Sequence, residues 1–181
     1  MTNTEFFAIS NPVEIFRLGN LLVGVLDGPE LLKIDYLELR GWVAVPFESA
    51  LHFDNVDVDR IATAAAKLSC LECNAIPTEG LAGPLYYRVP MTPRGLQAFN
   101  RKCAHFKYLL VPDNELFAVF CSTEDYCVAA GPRDFVEIVL AKGIEAARDD
   151  FRRYVESETL EPHRRFKAGI ADRYQTVSGT N

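Results

Sequence analysis

The segment Lys107–Gly131 constrains this chain more than any other. It reads Lys-Tyr-Leu-Leu-Val, a Pro-Asp-Asn-Glu turn, Leu-Phe-Ala-Val-Phe-Cys, a Ser-Thr-Glu-Asp turn, then Tyr-Cys-Val-Ala-Ala-Gly. Three short apolar runs joined by tight polar turns predict a three-stranded antiparallel meander. The strands and helices expected before it, and the helices expected after it, then define the class. The fold is α+β: a mostly antiparallel sheet with a C-terminal three-stranded meander and helices packed on it. Five or six strands and three to five helices are expected.

Along the chain, Asn11-Pro12-Val13-Glu14 opens a helix, with Asn11 as cap, Pro12 in the first turn and Glu14 at the capping-box position. Gly19 is its expected end, and Leu21–Leu26 reads as a buried strand stopped by Asp27-Gly28-Pro29. Leu31–Arg40 fits a bulged strand or a short helix. Trp42–Phe47 is a strand. Asp57–Cys73 is a helix, because Val58, Ile61, Ala62, Ala65 and Leu68 recur at helical spacing. Pro77–Pro84, containing Gly80 and Gly83, reads as a mobile loop. Leu85–Met91 is a strand, and Thr92-Pro93 starts a helix to about His105. After the meander, Pro132 opens a helix through Ala141, and Ile144–Glu158 forms another. Residues 1–160 are thus expected as one α+β domain, and 161–181 as a polar C-terminal tail, frayed or docked.

Charge narrows the choice of partner. The net charge is −6. Residues 1–90 carry 6 Lys/Arg against 12 Asp/Glu, whereas residues 91–181 carry 13 of each. An acidic N-terminal half repels phosphates, so no DNA or RNA partner is expected, and a basic protein is favoured. The apolar runs fall far short of a bilayer span, so no membrane partner is expected. Met1–Asn11 holds Glu5 and no Lys or Arg, which does not read as a secretory leader. Five cysteines then read as reduced thiols in the cytoplasm.

The cysteines also carry most of the candidate chemistry. Cys70-Leu71-Glu72-Cys73 has the spacing of a redox dithiol or half a zinc site, and Cys103 and His105 would complete four tetrahedral ligands. At the C-terminal end of a helix, however, the dipole opposes a thiolate, and packed, unliganded cysteines are the simpler reading. Cys121 and Cys127 flank the last hairpin. A three-residue loop sets them opposite each other, while a loop of two or four residues puts them on different faces. Cys121 with His105 as base is the one nucleophile–base pair to name, with Asp125 or Asp113 orienting the imidazole.

Two further groups point to binding. Thr92-Pro93-Arg94-Gly95 starts a helix with a hydroxyl cap and a cation, and with Arg88 nearby it would receive a phosphate or carboxylate. Asp54, Asp57 and Asp59 cap the preceding helix and supply an acidic surface; they lack the glycine and terminal Glu of a calcium loop. There is no Gly-x-Ser-x-Gly elbow, His-Glu-x-x-His, P-loop or Gly-x-Gly-x-x-Gly. The expectation is a non-enzymatic protein-binding module of the regulator, inhibitor or immunity type, needing no cofactor. The alternatives are a cysteine-dependent enzyme at Cys121/His105 and an anion-binding module at Thr92/Arg94. An apolar meander edge left open would also pair two copies as a homodimer.

Overall fold

One antiparallel sheet, buried on both faces, organises the α+β fold. The computed structural model describes residues 6–50, 53–79 and 85–177. In chain order the elements are β1 (Phe7–Ala8), α1 (Pro12–Val25), β2 (Leu26–Asp27), β3 (Leu31–Leu32), α2 (Ile34–Leu39), β4 (Val43–Glu48), α3 (Asn55–Lys67), β5 (Glu72–Pro77), β6 (Tyr87–Pro90), α4 (Pro93–Cys103), β7 (Tyr108–Val111), β8 (Ala118–Cys121), β9 (Tyr126–Gly131), α5 (Arg133–Leu140), α6 (Ile144–Ser157) and α7 (Glu161–Tyr174). The main sheet runs β1-β6-β5-β7-β8-β9-β4, and β2-β3 form a separate two-stranded ribbon.

The meander is present as β7, β8 and β9, and every residue of these strands is buried. Burial on both sides explains why they read as continuous apolar runs rather than alternating ones. Val119, Cys121, Cys127 and Ala129 face a core shared with α3, α4 and α5. Ala118, Phe120, Tyr126 and Val128 face a second core shared with α1, α7 and most of α6. The meander edges are paired to β5 on one side and β4 on the other, so no open meander edge exists for a second copy. The outer edge of β4 holds Pro46, which an edge strand tolerates, and α6 packs against that strand. Ala147 of α6 enters one core, and Phe151 and Val155 enter the other.

Several boundaries differ from expectation. Gly19 does not end α1, and Leu21–Val25 continues the helix instead of forming a strand. A short apolar run has no periodicity to separate helix from strand. Leu18 and Val25 are fully buried, and Leu21 and Leu22 pack on the same core. The chain reverses at Gly28 (φ 76°), and Leu31–Leu32 is a brief strand before the short helix α2. Helix α3 stops at Lys67; Ser69 takes a left-handed φ of 55°, and Cys73 lies in β5. That strand lacks a sequence signature because Cys73 and Ala75 face one core while Ile76 faces the other. Residues 161–174 form α7, with Ile170, Tyr174 and the following Val177 buried, so this stretch is docked. Arg148, itself 6% exposed, donates to the Tyr174 and Val177 carbonyls at 3.0 and 2.7 Å. Part of the expected 77–84 loop, Gly80–Pro84, lies outside the described residues, as does His52.

Candidate functional site

A cleft of about 570 Å³ opens between α3, α5 and α6 at the end of β4. Its apolar lining includes Phe47, Val139, Leu140, Phe151 and Tyr154, and its charged groups are Glu48, Asp57, Arg60, Lys142, Asp150 and Arg153. Mixed apolar and polar lining is the usual character of a binding site. Lys142 and Arg153 both pair with Asp150, so these three charges largely satisfy one another. Glu48 and Arg60 make no ion pair with a described residue.

Asp57 reaches the cleft from the first turn of α3. Asp54 caps that helix by accepting the Asp57 amide at 2.7 Å, and the Asp57 carboxylate accepts the Asp54 amide at 3.3 Å. This reciprocal capping box satisfies two donors that a helix start leaves free. The Ser49 hydroxyl also donates to Asp57 at 3.2 Å. Burial, with the Asp54 charge adding to it, pushes the Asp57 carboxyl above its ordinary value. Asp57 is therefore a buried carboxylate lining the cleft, whereas Asp54 and Asp59 are exposed.

The mouth of the cleft continues onto the β8–β9 turn. Glu48 pairs with Tyr126 in the β4–β9 register, and the Ser49 amide donates to the Asp125 carbonyl at 3.2 Å. The Tyr154 hydroxyl donates to that same carbonyl at 3.1 Å. These bonds draw Glu48, Glu124, Asp125 and the Asp54–Asp59 helix start to one end of the sheet. None of Glu48, Asp59, Glu124 and Asp125 forms an ion pair among the described residues.

The other expected groupings fare differently. The β8–β9 loop has the three-residue form, so Cys121 and Cys127 are directly opposite, and Asp125 adopts φ 57° to close the turn. Cys121 is completely buried, and burial holds its thiol well above the ordinary range. His105 is exposed beyond the end of α4. A buried protonated thiol and a solvent-facing imidazole do not make the activated pair that nucleophilic catalysis needs. Among the described residues no group of three or more His, Cys, Asp or Glu converges as a metal site, so Cys70, Cys73, Cys103 and His105 do not assemble into one.

Thr92 caps α4 by accepting the Gly95 amide at 3.1 Å, and a Cβ on Gly95 would meet the Pro90 carbonyl at 2.3 Å. The start of α4 is therefore pressed against β6. Arg94 is exposed there, but Arg88 serves the opposite side of the sheet. Its neighbour Val89 faces the α4 core, whereas Arg88 pairs with Glu14 of α1 and with Asp113 at 2.6 Å. Alternation along β6 thus separates Arg88 from Thr92 and Arg94. Lys107 is likewise consumed, by Glu30 and by Glu79 at 3.1 Å.

Sequence reasoning named Asp57 but missed the rest of the cleft. Phe47, Arg60, Lys142 and Tyr154 lie on four segments, and only the packing of α6 beside β4 unites them. Comparison of the chain with protein-family models, curated proteins and solved structures finds no match.

Proposed function

We propose that this protein is a non-catalytic binding module that receives a basic segment of a partner protein in the cleft between α3, α5 and α6. One observation carries the reading: at the end of the sheet where a cleft with apolar walls opens, Glu48, Asp59, Glu124 and Asp125 form no ion pair among the described residues, while the cleft's Asp150 already neutralises Lys142 and Arg153. A partner lysine or arginine would meet the exposed Glu48 at the mouth while its aliphatic stem covers Phe47 and Tyr154. The acidic rim favours basic protein over nucleic acid and speeds encounter through steering. Five free cysteines support a reducing compartment such as the cytoplasm. The completely buried Cys121 weighs against the thiol-enzyme alternative.

The test is capture from native host lysate at low and moderate salt, read by native mass spectrometry. A stoichiometric complex that weakens with salt is expected. The double variant Glu48→Lys/Glu124→Lys should slow its formation roughly tenfold or more. The control Glu38→Lys/Asp172→Lys changes net charge equally at exposed positions outside the cleft lining and should retain most binding. Equal loss in both variants, or no partner at either salt, would remove the rim-directed reading.

A further inference from the structure

Cys70 and Cys73 meet where α3 gives way to β5, with their sulfurs 3.8 Å apart. The turn from α3 to β5 contains Ser69 in a left-handed conformation just before Cys70, and the Cys70 amide donates back to the Ala65 carbonyl at 2.9 Å. The backbone thus folds the Cys-x-x-Cys segment tightly enough to place both side chains together. We propose that Cys70 and Cys73 form a redox-active dithiol that exchanges with small-molecule disulfides, Cys70 attacking and Cys73 resolving.

Three features set this pair apart from the other cysteines. Cys70 keeps 6% of its surface in contact with solvent, whereas Cys73, Cys121 and Cys127 are completely buried. The hydrogen bond from the Cys73 thiol holds Cys70 below its ordinary value against the cost of burial. Burial instead raises the Cys73 thiol, and pushes Cys103 up to about 11. An activated thiol on the less deeply buried residue beside a thiol that is completely buried is the division of labour that thiol–disulfide exchange requires. The Cys121–Cys127 pair is also juxtaposed, but neither sulfur is open to an incoming disulfide.

The exchange balances with a low-molecular-weight disulfide such as glutathione disulfide as oxidant. The Cys70 thiolate attacks one sulfur, forming a mixed disulfide and releasing one glutathione thiolate. That thiolate or solvent takes the Cys73 proton. Cys73 then attacks the Cys70 sulfur, closing the protein disulfide and releasing the second glutathione. Two electrons and two protons pass from the dithiol to glutathione.

Full-length protein equilibrated in glutathione buffers of rising oxidised fraction, then acid-quenched, alkylated and digested with trypsin, tests the assignment. Leu68–Arg88 is bounded by tryptic sites and contains Cys70 and Cys73 alone among the cysteines. This peptide should lose the mass of two hydrogens at ratios that leave the other three cysteines alkylated, and reductant should reverse the change. Cys73→Ser should accumulate glutathione on Cys70, and Cys70→Ser should accumulate none on Cys73. If buried-site variants misfold, native alkylation of the parent decides alone: Cys70 should react at least about tenfold faster than any other cysteine. A peptide that stays reduced at every ratio, earlier oxidation of Cys121–Cys127, or equal alkylation rates would overturn the proposal.

Discussion

Asp57 shows how one carboxylate serves both helix and cleft. Its raised folded value means that its contribution to stability is full below the ordinary carboxyl value, near 3.8, and is lost as pH rises through the folded value. Asp57→Asn keeps an acceptor for the Asp54 amide and removes the buried charge. Its melting temperature relative to the parent should therefore be highest at neutral pH and fall on acidification. Asp57→Ala loses the acceptor and should cost about 1 kcal/mol in denaturant unfolding. Asp113 has the opposite sign. Burial would raise it, but hydrogen bonds from Asn74, Arg88 and Arg17 outweigh burial and hold it at about 2. Its contribution is present above the ordinary value and disappears as pH falls from about 4 to about 2. An acid melt of Asp113→Asn should be flatter across that window than the parent's.

Among the elements, α7 and α6 do work that their sequences conceal. The Tyr174 hydroxyl accepts the Leu32 amide at 2.8 Å, both residues being buried, so α7 is tied to the β2–β3 ribbon. Tyr174→Phe removes this acceptor and should cost about 1–3 kcal/mol by chemical denaturation. Phe151, 2% exposed, anchors α6, and Phe151→Ala should cost about 3–5 kcal/mol. Polar composition made 161–181 read as a tail, yet buried Ile170, Tyr174 and Val177 suffice to dock it. The meander was legible because its turns are short and polar and its strands continuously apolar. The caps at Asn11, Asp54 and Thr92 were legible because capping is local chemistry. Strand β5 and the C-terminal part of α1 were not, because their state is decided by what covers them. The cleft was less legible still: it exists only where distant segments converge, and sequence spacing carries no record of that.

For the molecule as a whole, a sheet buried on both faces leaves function to its ends and rims. Helix α6 covers the outer edge of β4 and simultaneously walls the cleft, so fold closure and site formation share one element. The acidic rim predicts that association slows as salt rises, since screening reduces steering more than it reduces apolar contact. The most direct measurement is amide hydrogen exchange on the captured complex compared with the free protein. Protection should increase at residues 47–60, at the 122–126 turn and along α6, with the outer surface of α1 unchanged. Protection confined to α1 or to the Cys70 turn, with the cleft exchanging as in the free protein, would contradict the account.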